Sequence, residues 1–380
     1  MVAGLMSSTV KQRLVRLAMF TGLGPFLLRL IGYARYQLRA HRSRREFRQG
    51  AATHHPKVLC LATTFYCAAD CPHCVFILED PNFFERRRGE VMTLDEVRQI
   101  LDADLARDLD TVIFDGGEAL LNPKIFGMIE LVNEHGISNI QVVSNGITIV
   151  GKEERIVESG ITNLHISIDA TNGPDYAQRK GIKNEAMYER VISAIRRLVA
   201  LRNVRRPTLQ LGCSFIMFEE KTDELLEMLE LVEDLGLDAV SFTQFHDTSP
   251  GDEAYELHAS TLQGKSLLFD SLMARSDYPF DIGLPEEVAS PDELGSYCDS
   301  LHKHMCVDPS GNLAPCCHIS WNPKWGNIIA DPTINTPELV LFRRQFASGD
   351  LPDPCKHCRR RALGRWSFAS AIGTWSFAYS

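Results

Sequence analysis

The feature that most constrains the fold is an alternation of short apolar strands and amphipathic helices between residues 57 and 245. Short apolar runs rich in β-branched side chains are typical of buried strands, and longer segments with helical spacing follow them. One helix carries a start signal, because Thr93 is followed three residues later by Glu96, the pattern of a capping box. The predicted strands are 57–62, 111–114, 140–144, 163–168, 208–217 and 239–245, and the predicted helices are 93–105, 123–135, 152–159, 186–201 and 222–235.

This alternation favours a parallel sheet covered by helices. Six strands with helical crossovers predict an α/β fold, a partial (β/α)6 TIM-like barrel whose functional residues lie at the C-terminal strand ends. A chain of 380 residues with 44% hydrophobic residues can bury one large core and a smaller satellite. The predicted segments are a basic helical extension over 1–55, a barrel core over 56–275, a small C-terminal α+β domain over 276–365 and an aromatic-rich tail over 366–380.

Three cysteines directly after the first strand indicate a metal cluster. Cys67, Cys71 and Cys74 have the spacing C-x3-C-x2-C. On one tight loop they can hold three irons of a [4Fe-4S] cluster and leave the fourth iron open to another ligand. A zinc ribbon of Cys71 and Cys74 with Cys355 and Cys358 is the alternative, but it leaves Cys67 without a role. Disulfides are not expected from eleven cysteines in a chain without an evident secretory signal.

Polar motifs follow the next three predicted strands in the order GGE, SNG and SID. In the first motif, Gly116 and Gly117 permit close approach of a ligand, and the Glu118 carboxylate can accept hydrogen bonds from an ammonium group. Each motif alone is also compatible with a tight turn, a helix cap or a solvated side chain. Together with the cysteine loop, over about residues 56–245, they resemble the radical S-adenosylmethionine (radical SAM) enzymes. Ala119 departs from the family pattern, which has proline after GGE.

The resemblance implies roles for individual residues. The open iron would bind the amino and carboxylate groups of SAM, and an electron from the cluster would cleave SAM to methionine and a 5'-deoxyadenosyl radical. The GGE turn would contact the amino group of SAM, Arg179 its carboxylate, and His73 and Ile216 its adenine ring. The predicted SAM-binding residues are His73, Gly116, Gly117, Glu118, Ser144, Asn145, Ser167, Asp169, Arg179 and Ile216.

A second set of cysteines lies in the C-terminal third. Cys298 and Cys316 fit the pattern C-x12-G-x4-C, and Cys355 and Cys358 form a distal C-x2-C pair. This resembles the SPASM or smaller twitch extension of radical SAM proteins, and it implies one auxiliary [4Fe-4S] cluster. A second auxiliary cluster is not expected, because no cysteine follows Cys358. Structural zinc is the alternative, since four thiolates also suit that ion.

Two details of this region stay open. Residues 305–307 and 313–315 flank a turn sequence and predict a hairpin. Cys306 and Cys317 lie beside the assigned ligands. Each is a candidate to replace Cys298 or Cys316, or to remain a free thiol.

The first 56 residues differ in charge from the rest. They hold ten Lys and Arg residues and one acid, so their net charge is +9; with −9 overall, the remainder carries −18. Arg16 and Arg29 lie within apolar stretches that Gly24 and Pro25 interrupt, so a membrane-spanning helix is not expected. Packing on the enzyme, contact with an anionic membrane surface through residues 1–50, and docking of an acidic partner are three open interpretations. We expect a cytoplasmic protein, with association at the inner membrane surface as an option.

The outcome of the reaction depends on what quenches the substrate radical. Cys213 lies in an apolar predicted strand, and it is a catalytic candidate as a hydrogen-atom donor, the role of cysteine in some related epimerases. That role requires its side chain to face the barrel interior. The alternative is a small core residue.

The substrate is the least determined part of the prediction. We predict hydrogen abstraction from a natural product or other small molecule, followed by oxidation or epimerisation. Maturation of a ribosomal peptide or protein is one alternative, weakened because residues 1–55 are few for a winged-helix recognition domain. A lipid or membrane-presented substrate is another, favoured by the basic extension and by the repeated WSFA at 366–369 and 375–378.

Further expectations concern partners and loops. A low-potential electron donor of the flavodoxin or ferredoxin type is implied, and no nucleic acid is expected. The non-enzyme alternative is an iron-sulfur or zinc protein with a structural or electron-transfer role; the GGE, SNG and SID motifs argue against it, because a carrier needs no SAM pocket. Candidate loop residues beyond SAM binding are Glu219, Glu220, His246 and Asp247.

Overall fold

The computed structural model describes residues 38, 41, 45–74, 76, 77, 80–217, 223–244, 268, 270–272, 274, 275, 277–283, 298–317, 319 and 321–356. Several sequence predictions lie outside these residues: most of the basic extension, the aromatic-rich tail, Cys358, and the loop candidates Glu219, Glu220, His246 and Asp247. The predicted domain boundaries therefore stay predictions.

One mostly parallel sheet organises the described residues. All six predicted strands are present, and three short strands extend the sheet at its two edges. The spatial order is β7-β6-β5-β4-β3-β2-β1-β8-β9, with every neighbouring pair parallel except β8 and β9. The strands are β1 (Val58–Thr64), β2 (Thr111–Gly116), β3 (Asn139–Ser144), β4 (Asn163–Ser167), β5 (Gln210–Met217), β6 (Ala239–Gln244), β7 (Asp281–Gly283), β8 (His304–Val307) and β9 (Leu313–Ala314).

The helices fill the connections between strands. The predicted capping box is confirmed, since the Thr93 side chain accepts from the Glu96 amide and the Glu96 carboxylate accepts from the Thr93 amide. The helices used below are α1 (Phe83–Arg86), α2 (Leu94–Asp102), α3 (Ile125–Glu134), α4 (Glu153–Glu158), α5 (Gly173–Lys180), α6 (Met187–Arg205), α7 (Glu224–Leu235), α8 (Asp299–Lys303), α9 (Pro337–Ser348) and α10 (Asp353–Lys356). None of the helices in this part of the chain is both long and apolar enough to cross a membrane.

The predicted C-terminal hairpin is confirmed as β8 and β9, and it joins the main sheet. β8 pairs in parallel with β1, and Cys306 lies opposite Cys60 in the register. The hairpin turn is organised by Asp308, a buried carboxylate that accepts from the amides of Ser310 and Asn312. The C-terminal third is therefore bound to the barrel strand that leads into the cysteine loop.

The two faces of the sheet bury different side chains. On the outer face, alternate strand residues such as Leu59, Phe114 and Ile166 pack with the helices in the large core. On the inner face, Cys60 and Ile113 belong to a smaller apolar cluster. Register pairs extend this inner face across the sheet, because residues opposite each other on neighbouring strands point to the same side. Inner-face residues of this register are Cys60, Ile113, Gln141, Val143, His165, Ser167, Ser214 and Ser241.

Candidate active site

The cysteine loop follows β1 and is held by the end of helix α5. The Asp70 amide, between Cys67 and Cys71, donates to the carbonyl of Lys180 at 2.8 Å. The next residue, Gly181, ends α5 in the left-handed region at φ 60°. A Cβ at Gly181 would lie 1.9 Å from the Asp70 carbonyl oxygen, so the loop and the helix end are in direct backbone contact.

The paired glycines of the GGE motif bring β2 against the start of the same loop. Gly116 has φ 106°, and the Gly117 amide donates to the Thr64 carbonyl at 2.9 Å. A Cβ at Gly117 would lie 2.5 Å from the Tyr66 carbonyl oxygen. From the sequence, these glycines were expected to permit close approach of a ligand. In the structure, the group they admit is the backbone of residues 64–66.

Hydrogen-bond donors point at two of the three loop sulfurs. The Ala69 amide and the Asn145 side-chain amide each lie 3.5 Å from the Cys67 sulfur. The amides of Phe76 and Ile77 act to lower the pKa of Cys74, and the Ile77 amide also donates to the Cys74 carbonyl at 3.0 Å. Donors to cysteine sulfur are a usual means by which proteins stabilise and tune iron-sulfur clusters. The loop therefore has the ligand types and the surrounding donors that fit a [4Fe-4S] cluster.

The thiols need a counter-charge to act as thiolate ligands. Burial raises the pKa of all three loop cysteines, and that of Cys71 to about 12, while the ammonium group of Lys180 acts to lower it. No three or more His, Cys, Asp or Glu side chains of the described residues converge to hold a single metal ion.

Two buried ion pairs lie under the loop at the end of β4. Lys180 donates to the Asp169 carboxylate at 2.7 Å, and each side chain is 2% exposed. Arg179 donates to Glu224 at 2.7 Å and to the Asp169 carbonyl. Burial acts to raise the pKa of Asp169, but the charges of Lys180 and His73 and the hydrogen bonds from Lys180 and Ile216 together outweigh it, and the pKa is lowered. Asp169 is therefore a carboxylate at neutral pH.

Asp169 also fixes the end of β5. Its second carboxylate oxygen accepts from the Ile216 amide at 3.0 Å. It is the only non-glycine residue of the described chain in the left-handed region, with φ 60°. Such a conformation costs energy and persists where surrounding contacts enforce it. Asp169 thus joins β4, β5 and α5 at one point below the cysteine loop.

Glu118 links the GGE and SNG motifs. Its side chain is 1% exposed and accepts from the Asn145 amide at 2.8 Å and the Ser144 hydroxyl at 3.3 Å. Burial raises its pKa. These contacts place Asn145 beside Cys67. The predicted contact of Glu118 with the amino group of SAM stays a prediction.

The remaining predicted SAM-binding residues surround these pairs. Ser167 accepts from the Ser214 hydroxyl at 3.3 Å across the inner face. His73 is half-buried on the loop, and burial lowers its pKa against the opposing effect of Asp169. Ile216 is half-buried on β5. The structure therefore brings all ten predicted residues to the C-terminal edge of the sheet around the cysteine loop.

Sequence reasoning missed Lys180 and Gly181. The resemblance implied a role for Arg179 at the carboxylate of SAM and none for Lys180, the cation whose charge acts on Cys71. A signal was present, because basic residues followed by glycine are typical of a helix C-terminus. Asn172 and Pro174 at the other end are typical of a helix start and were also overlooked.

The predicted role of Cys213 as a hydrogen-atom donor does not fit the phase of β5. Its side chain is fully buried in the outer core, and it alternates with Ser214 and Ile216, which face the other side of β5. The strand therefore has the phase that points Cys213 toward the helices. It is placed as a core residue and not as a hydrogen-atom donor.

The predicted auxiliary ligands are spread over three elements. Cys298 is buried directly before α8, Cys316 is half-buried after β9, and Cys355 lies in α10. Their shared ligation of a cluster stays a prediction. Cys306 lies opposite Cys60 in the register of β1 and β8 and interacts with Cys317, and whether either cysteine replaces an assigned ligand stays open.

An aromatic wall connects the cysteine loop with the C-terminal third. Phe65 precedes Cys67 by two residues, and Phe76 follows Cys74 by two. The Trp321 indole lies 5.6 Å from the Phe65 ring and 5.4 Å from the Phe76 ring between centroids. Phe83 packs on both phenylalanines at 4.9 and 4.8 Å. We define the aromatic wall as Phe65, Phe76, Phe83 and Trp321.

We expect Trp321→Ala to destabilise the protein by about 3–5 kcal/mol, the usual cost of truncating a buried aromatic side chain. It should also shorten the lifetime of the reconstituted cluster in air, because Trp321 packs on Phe65 and Phe76, which flank the loop cysteines. Denaturant unfolding and the decay of cluster absorbance measure the two effects. Trp321→Phe is the matched control and should keep most of both. Equal stability of the alanine variant and the wild type would contradict this assignment.

Comparison with known proteins agrees with the site. The sequence profile of the radical SAM superfamily matches residues 61–232, which include the cysteine loop and the GGE, SNG and SID motifs. A GTP 3',8-cyclase of Alkaliphilus oremlandii is 24% identical over 315 residues, 78% of this chain and 90% of that protein. Pre-heme d1 synthase of Dinoroseobacter shibae is 29% identical over 175 residues, 45% of this chain but only 39% of that protein.

Solved structures support the fold. Streptococcus suis SuiB has a TM-score of 0.58 at 13% identity, covering 80% of this chain and 72% of its own. A structure of anSMEcpe with bound AdoMet has a TM-score of 0.57 at 14% identity, covering 82% and 88%. At these identities the likeness concerns the fold alone. The family match identifies residues 61–232 as a radical SAM domain, and the chain is accordingly a radical SAM enzyme.

Proposed function

We propose that the enzyme cleaves SAM reductively and abstracts a hydrogen atom from a C–H bond of a polar small molecule. The observation that carries the proposal is the convergence of the cysteine loop with Glu118, Asn145 and Asp169 at one edge of the sheet. Superfamily membership implies a [4Fe-4S] cluster and SAM. Bound to Cys67, Cys71 and Cys74, the cluster supplies the electron that cleaves SAM.

The protein's own residues orient the reactants and exclude water. Asn145 and the amides of the loop donate to the thiolate sulfurs, and Lys180 balances the negative charge near Cys71. The ion pair of Asp169 and Lys180 holds the strand ends in place. Any movement that separates the two side chains would leave a buried charge without its partner, which is strongly unfavourable. The aromatic wall keeps one side of the loop dry.

A row of hydroxyl groups on the inner face supports a polar substrate. Ser167, Ser214 and Ser241 lie opposite one another on β4, β5 and β6. They are on the concave side beneath the SAM-binding edge, where a barrel enzyme places its substrate. His165 lies two residues before Ser167, and burial lowers its pKa to about 4, so it is a neutral imidazole at pH 7. Neutral donors and acceptors of this kind suit an uncharged, hydrogen-bonding group.

We expect Ser214→Ala to reduce substrate-stimulated 5'-deoxyadenosine formation about tenfold, the effect of losing one buried hydrogen bond to substrate. Unstimulated SAM cleavage should change much less, because Ser214 reaches the predicted SAM-binding residues only through its hydrogen bond to Ser167. Liquid chromatography with mass spectrometry measures both rates. The matched control is Cys213→Ala, one residue away on the opposite face, which should leave both unchanged. A loss of unstimulated cleavage in Ser214→Ala would contradict the substrate role.

The experiment that tests the function uses anaerobically reconstituted protein with SAM and dithionite. The wild type should release 5'-deoxyadenosine, and Cys71→Ala should release none. Adding a low-molecular-mass extract should raise the rate, and protease treatment of that extract should not remove the stimulation. Stimulation that protease abolishes would favour the peptide alternative. Stimulation only by the lipid fraction would favour the membrane alternative.

Cyclisation is a second candidate reaction. It is favoured by the relative named GTP 3',8-cyclase, which matches 78% of this chain. Its name describes neither an oxidation nor an epimerisation, the outcomes expected from the sequence. GTP in the same assay separates the candidates, because a cyclase of GTP should show GTP-dependent release of 5'-deoxyadenosine and loss of GTP.

The auxiliary cluster and the external partners are also proposals. Iron and sulfide counts near eight per chain, twice those of one [4Fe-4S] cluster, would support ligation by Cys298, Cys316, Cys355 and Cys358. Counts near four with bound zinc would favour the zinc alternative. A flavodoxin or ferredoxin is the proposed electron donor, and liposome binding that depends on residues 1–50 would support contact with an anionic membrane.

A further inference from the structure

The guanidinium group of Arg87 lies over the aromatic wall at the start of the cysteine loop. Its central carbon is 4.3 Å from the centroid of the Phe65 ring and 5.5 Å from that of the Phe83 ring. A guanidinium group within about 6 Å of a ring centroid is attracted to the face of the ring. Phe65 is 1% exposed and precedes Cys67 by two residues. Arg87 therefore contacts the buried side chain from which the cysteine loop leaves β1.

The same guanidinium group joins the aromatic wall to the turn of the C-terminal hairpin. Its Nε and one terminal nitrogen donate to the two carboxylate oxygens of Glu90 at 2.8 and 2.6 Å, and that terminal nitrogen also donates to Asp308. Asp308 lies in the hairpin turn, and its side chain is 0% exposed. The hydroxyl of Ser310, in the same turn, donates to Glu90 at 2.8 Å. Two carboxylates therefore hold Arg87, and one of them belongs to the hairpin.

The chain that follows the cysteine loop returns to the end of β1. Thr64, the last residue of β1, forms an antiparallel bridge with Val91. The contact between Arg87 and Phe65 lies just inside this bridge, and all three loop cysteines lie between these two residues in the chain. Arg87 thus closes the segment that carries the cysteines, and it does so at the point where the hairpin turn meets that segment.

We propose that Arg87 is a positioning residue for the cleavage of SAM. It acts through Phe65: by fixing this ring relative to the hairpin turn, it sets where the cysteine loop lies relative to the strand ends that carry Glu118 and Asn145. Movement of Arg87 away from the turn would leave Asp308 as a buried charge without its partner, which opposes such movement. The inference rests on the proposed cleavage of SAM. If that function is wrong, the wild type itself will release no 5'-deoxyadenosine.

Arg87→Met tests this role in anaerobically reconstituted full-length protein with SAM and dithionite. The measured quantities are the iron bound per chain and the rate of 5'-deoxyadenosine release per bound iron at saturating SAM. We expect iron content near that of the wild type and a rate per iron that is lower by at least about tenfold, because small misplacements of reacting groups cost large factors in rate. A residue needed only for structure would lower the iron content and leave the rate per iron unchanged.

Arg86→Met is the matched control. The Arg86 side chain is 66% exposed and pairs with Asp80, so both measured quantities should stay at the wild-type values. If Arg87→Met fails to fold because Asp308 is left unpaired, the double variant Arg87→Met with Asp308→Asn removes both charges and should show the same loss of rate per iron. A wild-type rate per iron in a folded variant without Arg87, or an equal loss in Arg86→Met, would overturn the proposal.

Discussion

Replacing Gly181 by alanine should remove most of the iron that the reconstituted protein retains. An alanine at φ 60° costs about 1–2 kcal/mol. The larger effect is the clash, because the Cβ would lie 1.9 Å from the Asp70 carbonyl oxygen and 2.5 Å from its carbon. The atoms in the way belong to the Asp70 backbone, which cannot rotate out of the contact as a flexible side chain can. The loop segment between Cys67 and Cys71 must therefore move away from α5. Iron content and the cluster absorbance after reconstitution measure the result.

Gly136 is the matched control for this substitution. It has φ 76° and also follows a helix, but a Cβ there would have no atom within 4 Å. Gly136→Ala should therefore lose stability through backbone strain alone and bind as much iron as the wild type. Equal iron contents in the two variants would contradict the contact between α5 and the cysteine loop.

Replacing Lys180 by methionine should destabilise the protein by about 3–5 kcal/mol, the cost of leaving a buried charge unpaired. The charge left behind is Asp169, 2% exposed and still bonded to the Ile216 amide. Denaturant unfolding measures the loss. Lys183→Met, an exposed lysine three residues on, is the control and should change stability little. An unchanged midpoint for Lys180→Met would contradict the ion pair.

The same pair predicts how stability depends on pH. The pKa of Asp169 is lowered, so its contribution is present above the ordinary carboxyl value and is lost as pH falls through the lowered pKa. Burial acts to lower the pKa of Lys180, but the Asp169 carboxylate and other nearby groups raise it further. The stability that the Lys180 charge contributes is therefore lost only as pH rises through this raised pKa. Between these limits the pair is intact. The difference in stability between wild type and Lys180→Met should therefore shrink only toward the acid and alkaline extremes.

The parts of the fold that follow local rules were predictable. Strands β1 to β6 have apolar runs of the right length, and the Thr93 capping box is read from two residues. The cysteine loop and the GGE, SNG and SID motifs follow consecutive parallel strands. Parallel strand ends meet at one edge, so their convergence follows from the topology.

The parts that depend on distant contacts were not predictable. β8 pairs with β1, and no local pattern in either strand specifies that partner. Lys180 and Arg179 are adjacent cations, and only the packing of α5 decides which of them meets Asp169 and which meets Glu224. Cys213 fits an apolar strand in either phase, and its face is set by the helices packed on β5. These are choices between equivalent local patterns, and tertiary packing resolves them.

The most direct test of the central claim is the electron paramagnetic resonance spectrum of the reduced, reconstituted protein with and without SAM. If Cys67, Cys71 and Cys74 hold a cluster whose fourth iron binds SAM, adding SAM should change the signal of that cluster, and the change should be absent in Cys71→Ala. A wild-type signal that is the same with and without SAM, together with no 5'-deoxyadenosine, would contradict the account.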